Sequence, residues 1–347
     1  MTIKVAICRN DAVFYHGSET TDAWEKYCTD NNIPYDIVDC YSTDIIEKLS
    51  NYDAILWKIQ NYVVADIMES RSILEVARRK GLKVFPNYNT SWHFDDKISE
   101  SYLLQAIGAP TPKTWVFYLL CHCLEWISSE AKFPIVAKLR CGSGANNVKM
   151  LKDKEHATKY AKRMFSKGFN PSPSFLFKAK SKAQSSRDWK TVINRVKKIP
   201  LFIHTLSRAK MMQKEKGYVY FQEFIPTEGY DIKVVVVGDK LSFFCRRVRK
   251  GDFRASGGGD IFYDKNLVTK QIMSSAFDAY ENMGLQCVGF DYVVDKNNGM
   301  GYIIEMCYGF DFDLVKDAGG YWNKTGKWYD EPLDVAYEII NNLIHEV

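Results

Sequence analysis

The sequence predicts a mixed α/β chain built from more than one unit. Strand and helix patterns alternate through residues 1–95. Paired β-rich runs joined by tight-turn residues fill much of the remainder. The length, 347 residues, exceeds the usual size of one domain. Hydrophobic residues at 46% and aromatics at 14% are ample for packed cores, and no apolar run reaches membrane-spanning length. The opening MTIKVAICRND has too short an apolar run for a signal peptide. The nine cysteines are odd in number and scattered without paired metal-site spacing. They suit a reduced, cytoplasmic setting better than a disulfide framework. Cys121-His122-Cys123 is too isolated to read as a zinc site.

In order, residues 3–8 (IKVAIC) predict a buried strand and 20–31 a helix with Trp24, Tyr27 and Cys28 on one face. Residues 35–38 predict a strand, and Ser42 or Thr43 is expected to cap a short helix to Leu49. A strand at 52–57, an amphipathic helix at 65–80 ended by Gly81 and a strand at 82–85 follow. This alternation predicts a mostly parallel sheet. No G-x-G-x-x-G turn follows the first strand, so a dinucleotide site there has no support.

Asp95 or Asp96 can cap a helix to Ala106, ended by Gly108, with Pro110 and Pro112 stiffening the exit. Lys97 falls in its first turn, where a cation opposes the helix dipole. Strands at 134–139 and 147–151 flank the small-residue loop Gly142-Ser143-Gly144-Ala145, and Lys138 lies inside the first. Such a loop lets backbone N–H groups approach a phosphate, and a lysine adds charge. It is not a Walker pattern; an ordinary flexible hairpin would also fit. Residues 218–225 (YVYFQEFI) predict a strand that ends with Gln222-Glu223. A hairpin turning at Gly238-Asp239 follows Asp231. Arg246, Arg247, Arg249, Lys250 and Arg254 then lead into Gly257-Gly258-Gly259, a combination suited to planar anions or to surface salt bridges. Residues 273–283 predict a helix.

The run 286–312 (QCVGFDYVVDKNNGMGYIIEMCYGFDF) predicts a hairpin bent at Lys296–Gly299. Asp291 then lies opposite Glu305, and period-2 alternation puts both with Cys307, Val293 and Ile303 on one face. Opposed Cβ atoms lie ~5 Å apart, so the carboxylates repel unless a cation lies between them. Hard divalent ions prefer such oxygens.

The formal charge of +5 is uneven. Lys178–Lys216 holds twelve Lys and Arg against Asp188 and Glu215, a net of +10, so the remainder is net acidic. This segment reads as a solvated insertion or as a surface for an anionic partner, a glycan or a membrane face. Without regular aromatic interleaving it does not predict specific nucleic-acid binding.

Taken in order, these pieces resemble the ATP-grasp superfamily of carboxylate–amine ligases, nearest the ribosomal-protein glutamate ligases and glutathione synthetases. The resemblance covers residues 85–315. It is carried by Asp96-Lys97, Pro134–Lys138 with the Gly142–Ala145 loop, Gln222-Glu223-Phe224-Ile225, Asp231-Ile232-Lys233, Asp252-Phe253-Arg254, Asp291 and Glu305. It implies an ATP-grasp fold with a Rossmann-like pre-domain at 1–95. A small subdomain at 96–217, with a basic insertion at 166–217, and a C-terminal subdomain at 218–347 would sandwich ATP.

By the resemblance, Lys97 and Lys138 would contact the ATP phosphates, and Gly142, Ser143, Gly144 and Ala145 would close over them. Gln222, Glu223, Phe224 and Ile225 would line the adenine, and Asp231 would take the ribose hydroxyls. Asp291 and Glu305 would hold two magnesium ions, with manganese as a substitute. Arg254 and Arg246 would face the transferred phosphate or the substrate carboxylate and, with Lys138, carry the catalysis. Cys307 stands where these ligases carry asparagine. A thiol is a poor ligand for a hard ion, so a water, Asp311 or Asp313 would supply the oxygen.

Glu305–Phe310 with Gly320-Tyr321-Trp322 resembles a subgroup found with surface-polysaccharide genes. The resemblance thus implies a ligase that forms an amide through an acyl phosphate, joining a small or sugar-linked carboxylate to an amine. A kinase that phosphorylates a hydroxyl and a nucleotide-binding module of low turnover are the alternatives. The oligomeric state is not legible.

Overall fold

The computed structural model describes residues 3–9, 18–60, 64–142, 147–171, 213–248, 252–254 and 260–345. In the N-terminal unit, β1 (Val5–Cys8), β2 (Tyr35–Val38), β3 (Ala54–Trp57) and β4 (Lys83–Phe85) pair in the order β2-β1-β3-β4, all parallel. Strands β1 and β3 are buried throughout, as expected of parallel strands covered on both faces. Helices α1 (Ser18–Asp30), α2 (Ile45–Lys48) and α3 (Val64–Arg79) supply the crossovers. The cap expected at Ser42 or Thr43 is not formed. The N-cap of α2 is Asp44, without a side-chain capping bond, because the segment before it turns and delays the helix.

Helix α4 (Tyr88–Ser91) leads to α5 (Lys97–Ala106), capped as expected: the Asp96 carboxylate accepts from the N–H groups of Ile98 and Ser99. The next elements are β5 (Thr114–Phe117), α6 (Leu120–Ser129), β6 (Ile135–Lys138), β7 (Val148–Leu151), α7 (Lys154–Met164) and β8 (Val219–Glu223). They form an antiparallel sheet, β5-β8-β6-β7, around Trp126, Tyr160 and Phe221.

The large sheet takes β9 (Tyr230–Val237), β10 (Lys240–Arg247), β11 (Ile261–Phe262), β12 (Cys287–Val294), β13 (Gly301–Cys307), β14 (Tyr321–Asn323) and β15 (Trp328–Tyr329). Its order is β13-β12-β9-β10-β14-β15, with β11 beside β10. Helix α8 (Lys270–Asn282) lies between β11 and β12 in the chain, and α9 (Phe312–Lys316) and α10 (Val335–His345) occur later. Gly238-Asp239 turns the β9–β10 hairpin as expected.

The two faces of this sheet have separate uses. Val234, Val236, Phe290, Tyr292 and Ile303 pack beneath Ile272 and Phe277 of α8. On the other face, Val235, Val237, Phe244 and Cys287 join the N-terminal core together with Ile339, Ile340 and Leu343 of α10. Trp24 Nε1 donates to the Ala336 carbonyl (3.1 Å) and Tyr27 OH to Asn341 (3.0 Å), fastening α10 to α1.

Asp291 and Glu305 are directly paired, as the hairpin pattern predicts. Ile303 departs from the expectation that it shares their face. It pairs with Tyr292 and enters the α8 core, because Ile304 is an extra residue between the two pairs. Such a bulge reverses the side-chain alternation beyond it. No helix among the described residues is long and apolar enough to cross a membrane.

Ile340 is fully buried in the core shared by α10 and the N-terminal unit. Ile340→Ala is therefore expected to cost about 2–5 kcal/mol, read as a lower denaturation midpoint in urea.

Candidate active site

Three elements bring charge to the outer edge of β13. Helix α5 presents Lys97 from its first turn, and β6 presents Lys138 from its last residue. The Lys97 side chain is 4% exposed, donates to the Gly142 carbonyl (2.7 Å) and lies 3.3 Å from Glu305 Oε1. Lys138 Nζ donates to the Ile304 carbonyl (2.8 Å). The bulge supplies that acceptor: an unpaired residue on an edge strand leaves a carbonyl for a side chain.

Burial works against the charge of Lys97, but Glu305, Asp95 and Glu100 outweigh it and hold the ammonium above its ordinary pKa. Burial dominates at Lys138 and brings it down to about 8, with Glu305 opposing. Gly142 is the described root of the glycine loop. Its φ is +108°, its N–H donates to Asp95 (2.8 Å), and a Cβ there would fall 2.2 Å from the Asn147 amide. Ser143, Gly144 and Ala145 lie outside the described residues, as do Gly257–Gly259 and most of the basic insertion.

Deeper on the same face, charges form a cross-strand ladder. Arg246 is opposite Asp231, and Lys233 is opposite Asp291. The Arg246 guanidinium grips both oxygens of Asp231 (2.7 and 2.8 Å) and reaches Asp291 Oδ2 (3.0 Å). Lys233 pairs with Asp291 Oδ1. Burial pushes the Asp291 carboxyl up, but Arg246 and Lys233 outweigh it and hold it at about 2.

This placement revises two expected roles. Asp231 is not a free acceptor for ribose hydroxyls, and Arg246 is not a free anion donor. Each is committed to the other because register sets them face to face in a buried place. Arg254 forks onto Asp252 (2.9 Å at Nε and Nη2) and donates to the Val148 carbonyl (3.4 Å); none of these contacts reaches the Lys97–Glu305 cluster. The Gln222 amide donates to Thr114 and Tyr220 (3.2 Å each), so its side chain is structural. The Glu223 N–H is taken by the Lys113 carbonyl (2.8 Å). Phe224 and Ile225 follow the strand half-buried, and Phe224 meets Phe253 edge-on at 6.4 Å.

Two charged residues escaped the sequence reading. Glu100 is buried three residues after Lys97 and accepts from the Met306 N–H (3.4 Å). Burial raises its pKa well above the ordinary value, and only its helical i, i+3 spacing from Lys97 hinted at it. Lys58 follows β3 and is 8% exposed. It sits 3.8 Å from the Phe312 ring centroid and near Tyr308 and Phe310, and burial brings it down to about 8. Among the described residues it has no carboxylate within ion-pair distance. Sheet order reverses between β1 and β3, and the carboxyl ends of such strands form a ligand crevice.

The resemblance implies divalent ions. Glu305 fits one: its side chain is 23% exposed, and magnesium is commonly held by one or two carboxylates plus substrate phosphates. Asp291 does not fit as built, because each oxygen faces a cation. Nor does the Cys307 thiol, which burial keeps protonated and which is soft.

Lys97→Met is expected to weaken nucleotide binding about 10- to 100-fold, the range for a lost charge-assisted bond. Glu100→Gln, which keeps a side-chain oxygen to accept from the Met306 N–H, should stay within about twofold on the same scale. Calorimetric titration reads both. Lys138 is protonated below about 8, so affinity should fall as pH rises through that value. Lys138→Met should remove the fall.

Residues 187–313 match the RimK-like ATP-grasp domain family. The α-aminoadipate–LysW ligase LysX of Saccharolobus solfataricus is 20% identical over 274 residues, 78% of this chain and 82% of that protein. A RimK domain protein ATP-grasp from Sphaerobacter thermophilus superposes with a TM-score of 0.57 at 15% identity, covering 97% of this chain and 98% of that one. D-alanine–D-alanine ligase from Bacillus anthracis gives 0.59 at 13% identity, covering 99% and 97%. The same ligase complexed with ATP gives 0.54 at 12% identity, covering 99% and 96%. The domain match over residues 187–313 and the fold shared with these solved structures support an ATP-grasp ligase.

Proposed function

We propose that this chain uses ATP to activate a carboxylate as an acyl phosphate and joins it to an amine, releasing ADP and phosphate. The observation that carries the reading is the convergence of Lys97, Lys138 and Glu305 on the edge of β13, beside the root of the glycine loop. A carboxylate is a poor electrophile; its mixed anhydride with phosphate is a good one. Lys97 and Lys138 would hold the phosphates and balance the charge that develops on them during transfer. Magnesium on Glu305 would supply further neutralisation when bound. The loop rooted at Gly142 would exclude water that otherwise hydrolyses the acyl phosphate.

Lys58 supports an anionic acceptor. It is a buried cation without a carboxylate partner among the described residues, packed against the Phe312 ring and donating to the Tyr308 carbonyl (3.4 Å). It would seat the substrate carboxylate. We take that substrate to be small or sugar-linked, a uronic acid for example, and the amine to be an amino acid or amino alcohol in surface-polysaccharide synthesis. The basic segment 178–216 would meet an anionic glycan or membrane face.

A matrix of carboxylates and amines, screened for phosphate release with mass spectrometry of the product, tests the reading. An amide formed with stoichiometric ADP and phosphate is expected; a stable phosphoester would instead identify a kinase. With the substrate found, Lys58→Met should raise the KM for the carboxylate at least tenfold while leaving nucleotide affinity near wild type.

A further inference from the structure

Asp291 is opposite Glu305 on one side and Lys233 on the other. Its two oxygens are divided between two cations, Lys233 and Arg246. Arg246 also binds Asp231, so two cations and two carboxylates form a closed, neutral set. None of the four side chains is more than 11% exposed. Among the described residues, no three His, Cys, Asp or Glu side chains gather into a cation cage.

The lysine is built into this place. Gly289 lies on the same face, and a Cβ there would meet the Phe310 ring at 2.8 Å and Lys233 Cδ at 3.3 Å. The missing side chain leaves a channel for the lysine stem. Lys233 thus runs past Gly289, the residue paired with Cys307, to reach Asp291, where an ion would need free oxygen ligands. Glu305 alone turns a partly exposed carboxylate to the edge where Lys97 and Lys138 converge.

We infer that this chain takes a single divalent cation with its nucleotide, on Glu305, and that the Lys233 ammonium stands in the place of a second. A tethered ammonium offers one positive charge and three N–H donors, and it cannot exchange. It would neutralise Asp291 permanently. The mobile ion would then serve only the phosphates. The inference rests on the nucleotide-binding reading proposed above.

The test is a count of bound Mn2+. The full chain is mixed with one equivalent of an ATP analogue bearing a β–γ imido bridge. It is titrated with Mn2+, and free ion is read from its paramagnetic resonance signal. One tight Mn2+ per bound nucleotide is expected; two would overturn the inference while leaving the nucleotide reading intact. Failure to bind the analogue at all would overturn both. Glu305→Gln should weaken the single site at least tenfold, and an unchanged site would overturn its assignment. The double variant Lys233→Met, Cys307→Asn removes the ammonium and adds an amide oxygen. It should gain a second ion, and a count still at one in a variant that binds the analogue would overturn the role of Lys233. If that variant does not fold, the wild-type count still decides.

Discussion

The buried charges of Asp231, Arg246, Lys233 and Asp291 constrain the rest of the structure. Removing such groups from water costs several kcal/mol per ion, recovered only with good geometry and complete pairing. Here the geometry comes from strand register, because the four residues are adjacent positions on β9, β10 and β12. A slip of one residue would turn every charge into the α8 core. The requirement that the charges meet and the requirement that Val234, Phe290 and Tyr292 stay dry therefore select the same pairing.

That selection positions the reactive edge. With β12 fixed, β13 must bring Glu305 beside Asp291, and the bulge at Ile304 turns Ile303 back into the core. As the last strand on its side, β13 would expose unpaired backbone groups, a feature proteins usually cover. Here the cover comes from the small subdomain. Thr111 and Lys138 take the carbonyls of Ile303 and Ile304, and Pro110 accepts the Ile303 N–H. Lys138 thereby joins the small sheet to the large one.

Much of this was legible because local pattern and tertiary role agree. The 287–307 hairpin, the Asp291–Glu305 pairing, the Asp96 cap and the parallel N-terminal sheet follow from alternation, turn residues and capping chemistry. What was not legible depends on contacts distant in sequence. Arg246 reads as a surface cation until β9 and β12 set Asp231 and Asp291 beside it. Glu100 reads as a solvated first-turn acid until β13 covers it. Lys58 looks like an ordinary strand-end lysine until Phe312, more than 250 positions later, closes over it. The bulge has no sequence signature, because neither glycine nor proline marks Ile304.

Helix α10 completes a core begun more than 300 residues earlier: Trp24, Phe85 and Val84 are buried against Ile339, Ile340 and Leu343. During synthesis the parallel-sheet unit lacks one wall of its own interior until nearly all of the described chain has been made. Domains that are complete in sequence can fold as they appear. This one keeps apolar surface uncovered until α10 is available. The stability of the parallel sheet is thus tied to a helix at the far end of the described chain.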